Sequence, residues 1–197
     1  MQKQVVFHDD NDRLRFLFLI LTFQGLDKID NIGRKIKSSV QHGMLNVDTL
    51  LVEKIIKNRM VELINFTFMP NHFHLIVRTK IDGGVTKYMQ RVLNAYTKYF
   101  NIKYSKSGYL FQGPYKAVHI EDDEQLMYTS AYNHKNPIEL EDWKNCLDKY
   151  PWSSYQDCLY CNRWEKLLVV DPIIDRFTTR LEYKEFVESS TAKESYY

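Results

Sequence analysis

Apolar and polar positions along the chain predict an alternation of helices and strands. Residues 9–24 begin with acidic capping candidates and then become strongly apolar, which predicts a buried helix. Residues 26–47 are polar and are expected to be irregular. Asp48 follows as the cap of a short helix that ends at Lys57.

Two β-rich runs in the middle of the chain flank a tight turn. Residues 61–68 and 75–77 are rich in branched and aromatic side chains, and Pro70-Asn71 lies between them, so we expect a hairpin. His72-Phe73-His74 begins the second strand. Because side chains alternate between the two faces of a strand, both histidines share one face and Phe73 lies on the other.

The second half of the chain predicts further helices. An apolar stripe at three- and four-residue spacing indicates a long helix over residues 85–102. A helix that starts at Glu121 must end near Asn136, because Pro137 disfavours α geometry in the residue before it. We also expect two extended segments at 109–112 and 115–120, a C-terminal helix between Asp171 and Glu188, and a frayed end at 191–197.

Composition limits the class of protein. A chain of 197 residues with 44% hydrophobic and 26% charged residues is ordinary for one globular domain, and a net charge of +2 neither requires nor excludes a nucleic-acid partner. Three cysteines are few and odd in number, which indicates a reducing compartment, and Cys158 and Cys161 form a lone CxxC, a weak zinc signal. With no leader and no apolar run that could cross a bilayer, we expect a cytoplasmic protein with no membrane partner.

The shared face of His72 and His74 has two interpretations. Imidazole binds Zn, Mn, Fe, Ni or Cu, and two protein ligands leave most coordination positions to water or substrate. The simpler alternative is that both histidines are half-exposed strand residues with ordinary hydrogen bonds. The spacing alone leaves both open, because His-x-His is short.

A second set of candidates lies on the helix that starts at Glu121. Tyr128, Tyr132 and Asn136 are spaced four apart and therefore share one stripe. An amide oxygen could complete a metal site begun by two histidines, and a tyrosine one turn away could attack a polarised substrate. In the simpler alternative, Tyr132 packs against the sheet and Asn136 caps the helix.

Basic residues form a third candidate feature. Lys87, Arg91 and Lys98 lie on another side of the long helix from its apolar stripe. This row is either a solvated face or a surface that follows a phosphate backbone.

Four motifs in order carry a resemblance to a known family. They are Met69-Pro70-Asn71-His72-Phe73-His74, Gly108-Tyr109-Leu110-Phe111-Gln112-Gly113-Pro114-Tyr115, Tyr132-Asn133-His134-Lys135-Asn136-Pro137 and Pro151-Trp152-Ser153-Ser154-Tyr155. Together they resemble the motifs of single-tyrosine HUH transposases, most closely the REP-associated tyrosine transposase branch, over residues 5–160.

The resemblance implies an α+β fold, a ferredoxin-like (RRM-like) antiparallel sheet with helices packed on it and the histidine pair on a central strand. It implies a catalytic domain over residues 1–160 and a C-terminal helical extension over 161–197. The implied activity is that of a transposase: a metal-dependent single-strand DNA endonuclease and strand transferase. Such enzymes cut near hairpin-forming palindromes through a 5′-phosphotyrosine intermediate.

By position in the motifs, Tyr132 matches the nucleophile, with Tyr128 and Tyr115 as weaker candidates. His72, His74 and Asn136 match the ligands of a divalent metal, Mg or Mn. For contacts with the backbone of single-stranded or hairpin DNA we select Lys87, Arg91, Lys98, Lys103 and Lys106, and for base stacking the exposed tyrosines.

The chain departs from the family pattern in two places. The family usually has a complete edge strand before the segment that Val6–Asp10 matches, but here only residues 1–7 are available to form it. Residues 26–60 also match the family pattern poorly. Two further hypotheses stay open: a domesticated protein that binds nucleic-acid hairpins without cutting them, and a structural variant with inert histidines. The chain could also act as a homodimer.

Overall fold

The computed structural model describes residues 4–41 and 44–191. The chain folds as two compact units. One contains Met1–Leu63 and Val77–Tyr115, and the other contains Ile64–Ile76 and Lys116–Tyr197.

Within residues 4–41 and 44–115, the first unit is built on four helices. They are α1 (Asp10–Thr22), α2 (Ile32–Ser39), α3 (Thr49–Lys57) and α4 (Gly84–Lys103). The helices predicted at 9–24, 48–57 and 85–102 are confirmed as α1, α3 and α4. Asp9 and Asp48 cap α1 and α3 as expected, since their carboxylates accept backbone N–H groups of the first turn.

The expectation of irregular structure at 26–47 is wrong. This stretch contains α2 and a small antiparallel hairpin of β1 (Val40–Gln41) and β2 (Met44–Leu45), in which Val40 pairs with Leu45. Ile32 and Ile36 lie one turn apart on a short helix that is otherwise polar, so its apolar stripe is too brief to stand out in the sequence. α2 contacts both strands of the hairpin, which gives it a tertiary partner.

The core of the first unit forms where α1 meets α4. Residues 16–21 of α1 are all buried, and α4 contributes the buried rings of Tyr88, Tyr96 and Phe100. The Tyr88 hydroxyl donates to the carbonyl of Ile20 at 2.8 Å, so its polar atom is satisfied inside the core. At the start of α4, a Cβ on Gly84 would lie 2.5 Å from the carbonyl oxygen of Met60, so only glycine allows this close approach.

The predicted hairpin is confirmed. Strand β3 (Val61–Met69) and strand β4 (His72–Thr79) are hydrogen-bonded neighbours joined by Pro70-Asn71, and a two-residue connection makes them antiparallel. With helices packed around antiparallel strands, the chain has the predicted α+β fold class, consistent with a ferredoxin-like arrangement.

The motif at 151–155 runs along the other edge of β3. Thr67 and Ser153 form an antiparallel bridge, and the backbone N–H of Phe68 donates to the carbonyl of Trp152 at 2.9 Å. β3 therefore has backbone partners at both edges. The segments at 109–112 and 115–120 belong to no strand in the described residues. Several of their side chains are exposed, Tyr109 at 99% and Val118 at 83%, so they have little apolar surface to hold them in a sheet.

The second unit contains the remaining helices: α5 (Asp123–Lys135), α6 (Tyr155–Leu159), α7 (Asp171–Ile174) and α8 (Arg180–Ser189). The helix predicted from Glu121 is confirmed as α5, which begins two residues later behind the cap Asp122 and passes into a 3-10 turn at Asn136–Glu139. α5 contacts both α7 and α8. The division at residue 160 stays a prediction.

The C-terminal helix expected between Asp171 and Glu188 is confirmed as α8 in the second half of this range, but the chain is interrupted between α7 and α8. Thr179 has an extended backbone, and it forms a reciprocal capping box with Glu182 that starts α8 as a new helix. Most of the end expected to fray, residues 192–197, lies outside the described residues. Among the described helices, none is long and apolar enough to cross a membrane.

Candidate functional site

The hairpin places the two histidines side by side. His72 and His74 are half-buried on β4, and their ring centroids lie 5.0 Å apart with the rings perpendicular. This is the geometry expected for positions i and i+2 of one strand.

Helix α5 brings a tyrosine against this pair. The ring centroid of Tyr132 lies 5.4 Å from that of His74, again with perpendicular rings. Tyr132 is half-buried. The three rings therefore form one contiguous cluster within the second unit.

The other two tyrosines have different surroundings. Tyr128, one turn earlier on α5, packs against Phe186 of α8 at a ring-centroid distance of 5.6 Å. Tyr115 belongs to the first unit, where its hydroxyl lies 3.2 Å from the hydroxyl of Thr86. Tyr132 is therefore the candidate that the fold brings against the histidine pair.

Asn136 lies at the end of α5 and is buried. Its side-chain nitrogen donates to the carbonyl of Tyr132 at 2.9 Å, which caps the last turn of the helix. This is the contact expected from the simpler alternative, and the carboxamide oxygen is the atom of this side chain that can act as a metal ligand.

A neighbouring amide orients His72. The Oδ1 atom of Asn71 lies 2.6 Å from Nδ1 of His72. A carboxamide oxygen only accepts hydrogen bonds, so Nδ1 carries the proton and Nε2 carries the lone pair. This is the way in which a metal-binding histidine is commonly oriented by a second residue.

Metal binding by His72, His74 and Asn136 stays a prediction. Among the described residues, no group of three or more His, Cys, Asp or Glu side chains is arranged to hold a metal. A metal bound by the predicted ligands would rely on two imidazoles, the amide oxygen of Asn136 and oxygens from water or substrate. Mn²⁺ accepts imidazole more readily than Mg²⁺, which prefers an all-oxygen shell.

A buried polar network lies behind the tyrosine helix, and the sequence pattern offers little sign of it. It joins Asn65 of β3, Asn133 and His134 of α5, Tyr183 of α8, and Ser154, all of them buried. Asn133, His134 and Ser154 lie inside the motifs that carry the family resemblance. The signal for Asn65 is its polarity between apolar neighbours in the strand, whereas Tyr183 has no such signal.

His134 is the centre of this network. Its Nε2 atom lies 2.8 Å from Nδ2 of Asn65 and 3.0 Å from the hydroxyl of Ser154, and its Nδ1 atom lies 2.7 Å from the hydroxyl of Tyr183. Complete burial lowers the pKa of His134 to about 3, so the imidazole is neutral at physiological pH.

The five basic residues selected for DNA contacts all lie in the first unit, and they differ in their partners. Arg91 donates to the carbonyls of Gly25 and Asp27, so its guanidinium holds the chain that follows α1. Lys103 forms ion pairs with Asp9 and Asp12, each at 2.7 Å.

The remaining three, Lys87, Lys98 and Lys106, are exposed. The ammonium of Lys106 lies 5.4 Å from the ring centroid of Phe100. A role of any of the five in DNA binding stays a prediction.

Comparison with known proteins gives one finding. The model of a family described as transposase IS200 like matches residues 35–136, a range that includes His72, His74, Tyr132 and Asn136. Neither the curated proteins nor the solved structures contain a match.

Proposed function

The chain belongs to the IS200-like transposase family, and we propose that it cuts and rejoins single-stranded DNA with Tyr132 as its nucleophile. Family membership supports a role in DNA transposition. The observation that carries the finer proposal is the ring cluster in which Tyr132 packs on His74 and His74 on His72. A tyrosine and two potential metal ligands are thereby held together by one helix and one hairpin.

The proposed reaction is a transesterification. The phenolic oxygen of Tyr132 loses its proton to solvent and attacks the scissile phosphorus, and the bond from phosphorus to the 3′ oxygen breaks. The departing 3′ oxygen takes up a proton, and the 5′ side stays attached through phosphotyrosine. Because one phosphodiester replaces another, the strands can be rejoined by the reverse attack without a nucleotide cofactor.

A divalent metal held by His72, His74 and Asn136 would act as a Lewis acid on the phosphate oxygens. The protein residues would fix its position: Asn71 orients the ring of His72, and the cap formed by Asn136 keeps that side chain at the end of α5. Of the two predicted ions, Mg²⁺ and Mn²⁺, we favour Mn²⁺ because it accepts imidazole nitrogen more readily than Mg²⁺ does.

The proposed substrate is single-stranded DNA that folds into hairpins at imperfect palindromes. Lys87, Lys98 and Lys106 are exposed, so their amines could contact the phosphate backbone. Tyr109 is 99% exposed, so its ring could stack on an unpaired base.

Covalent trapping tests the proposal. Single-stranded DNA with a palindromic hairpin is incubated with the protein and Mn²⁺, then denatured and separated by electrophoresis. We expect a protein–DNA adduct that forms with wild type and with Tyr128→Phe, is absent with Tyr132→Phe, and is prevented by a chelator. Tyr128→Phe is the matched control because it makes the same change one turn away on the same helix. Hairpin binding with no adduct under any metal would instead favour a binding protein that does not cut.

Metal binding is tested separately from cleavage. We expect His74→Ala to weaken Mn²⁺ binding, measured by electron paramagnetic resonance of the ion, while His119→Ala has no effect. His119 is exposed and lies outside the ring cluster. Equal Mn²⁺ binding by wild type and His74→Ala would remove the histidine pair from the proposed metal site.

A further inference from the structure

The face that α5 buries is unusually polar. Ser130, Asn133 and His134 are all buried there, and Ala131 adds little apolar area. A helix held by apolar side chains can rotate or slide with small losses, because apolar contacts are not directional. Hydrogen bonds in a buried network specify one position, because every broken bond leaves a buried polar group unsatisfied.

The hydrogen bonds of this face have one consistent direction. Asn133 Nδ2 donates to Asn65 Oδ1 at 2.9 Å, so Asn65 Nδ2 is the atom that donates to His134 Nε2. With Nε2 accepting, His134 Nδ1 carries the proton and donates to the hydroxyl of Tyr183. The Tyr183 hydroxyl in turn donates to Ser130 at 3.3 Å. The chain of bonds thus runs from β3 through α5 to α8 and back to α5.

The anchored side of α5 lies opposite the reactive side. At 3.6 residues per turn, Ser130 and His134 project about 160° away from Tyr132, whereas Asn136 projects within about 40° of it. A rotation that moved Tyr132 away from His74 would therefore pull His134 out of its bonds. The network fixes the rotation of the helix that carries the nucleophile.

Helix α8 takes part in this anchoring at a second point. Lys135, at the last turn of α5, donates from its ammonium to the carbonyls of Glu188 and Ser190 at the end of α8, at 3.2 and 2.6 Å. Tyr183 contacts α5 at Ser130 and His134. Both contacts use residues beyond 160, outside the residues that carry the family resemblance.

We propose that His134 and Tyr183 are positioning residues that hold Tyr132 against His74, so that the C-terminal helix α8 is part of the cleavage machinery. This inference rests on the proposed function. The two residues touch neither substrate nor metal and act through the rotation of α5. Removing the Tyr183 hydroxyl should therefore slow strand cleavage without weakening DNA binding.

The test compares two tyrosine-to-phenylalanine changes in one buried layer. Tyr183→Phe removes a hydroxyl that bonds His134. Tyr155→Phe removes a hydroxyl that is buried and has no hydrogen-bond partner among the described residues, although its ring lies 5.0 Å from His134 and 6.2 Å from Tyr183. Comparing the two variants distinguishes the effect of losing the hydrogen bond from the effect of a change in packing.

We expect Tyr183→Phe to slow adduct formation at saturating DNA and Mn²⁺ by about tenfold or more, with an unchanged dissociation constant for hairpin DNA. Tyr155→Phe should react at the wild-type rate. Ser130→Ala, a milder change at the other end of the Tyr183 bond, should slow the reaction in the same direction. Equal rates for wild type, Tyr183→Phe and Ser130→Ala would overturn the inference.

A second readout does not depend on cleavage. In NMR spectra of the protein without DNA, the nuclear Overhauser contact between the ring protons of Tyr132 and His74 should weaken in Tyr183→Phe and persist in Tyr155→Phe. If wild type forms no adduct but this pattern holds, the proposed function fails and the positioning role stands. If the contact persists in Tyr183→Phe, the positioning role fails whatever the activity.

Discussion

His134 shows how burial sets the state of a single residue. An imidazole in water has a pKa near 6.5, whereas complete burial lowers the pKa of His134 to about 3. The ionisable groups packed around it are Tyr155 and Tyr183, and burial raises the pKa of both phenols, so they stay neutral as well. The network therefore contains no charge at the pH of the cell.

This burial predicts a specific loss of stability in acid. Between pH 6.5 and about 3 the unfolded chain binds a proton at His134 that the folded chain excludes, so folding becomes less favourable as pH falls through this window. We expect wild type to have a higher free energy of unfolding than His134→Gln at pH 7. This difference, measured by urea unfolding at pH 7, 6 and 5, should decrease as the pH falls. A constant difference would contradict a neutral buried imidazole.

Asn71 controls which nitrogen of His72 can bind a metal. Its carboxamide holds the proton of His72 on Nδ1, so Asn71→Ala should weaken Mn²⁺ binding by about tenfold, measured by electron paramagnetic resonance. Asn71→Asp keeps an acceptor oxygen at the same position and should bind Mn²⁺ at least as well as wild type. An unchanged affinity of Asn71→Ala for Mn²⁺ would show that the contact of Asn71 with His72 does not contribute to metal binding.

Helices α1 and α4 are joined by a buried carboxylate. Asp12 is fully buried and accepts hydrogen bonds from Lys103 at 2.7 Å, Tyr104 at 2.7 Å and Tyr99 at 3.0 Å. Burial acts to raise the pKa of Asp12, but the hydrogen bonds from Lys103, Tyr104, the backbone of His8 and Tyr99 outweigh it, and the pKa is lowered. The stabilisation is therefore present at neutral pH and is lost as pH falls through the lowered pKa.

Removing this carboxylate should weaken the interaction between α1 and α4. We expect Asp12→Ala to reduce the free energy of unfolding by about 3 kcal/mol, because it leaves an ammonium and two phenols without their shared acceptor. Asp10→Ala is the control: Asp10 is exposed and pairs with Arg13 three residues along the same helix, so its loss should cost less than about 1 kcal/mol. Denaturant unfolding measures both, and similar losses would refute the special role of Asp12.

The elements that the sequence predicts correctly are those with long or strongly periodic patterns. α1, α4 and α5 each span three or more turns, and the β3–β4 hairpin has two β-rich runs around a proline turn. Neither α2 nor the break before α8 has such a pattern in the sequence. α2 depends on a tertiary partner, and the break depends on a local capping box at Thr179.

The same distinction applies to the candidate site. The shared face of His72 and His74 follows from strand alternation, and the common stripe of Tyr132 and Asn136 follows from helix spacing. The contact of Tyr132 with His74, and the bonds of His134 to Asn65 and Tyr183, join residues that are 49 to 69 positions apart in the sequence. No periodic pattern in the sequence encodes such pairings, so they become visible only in the folded structure.

At the scale of the whole molecule, 27 basic and 25 acidic residues leave a net charge of only +2. Affinity for DNA must therefore come from a local arrangement of charges, and the folded chain already uses some of them. Arg91 and Lys103 are bound to partners within the protein, whereas Lys87 and Lys98 are exposed on α4. Arg91 and Lys103 should therefore stabilise the fold, whereas Lys87 and Lys98 should contact the substrate.

Salt dependence separates these two roles. For each phosphate that the protein no longer neutralises, the slope of log affinity against log salt concentration for single-stranded DNA should become shallower by about 0.7. We expect this change in Lys87→Ala and Lys98→Ala with normal thermal stability. Lys103→Ala should instead lower the melting temperature, since it leaves Asp12 buried without its cation. An unchanged slope in both Lys87→Ala and Lys98→Ala would exclude this face of α4 from the DNA-binding surface.

We expect Tyr132 to become covalently joined to the 5′ phosphate of the cut strand, and mass spectrometry of the trapped adduct can identify the joined residue. The adduct is digested with nuclease and protease, and the peptide that carries the residual nucleotide is sequenced. The expected result is a single modified residue, Tyr132. A nucleotide on Tyr128, on Tyr115 or on any other residue would contradict it.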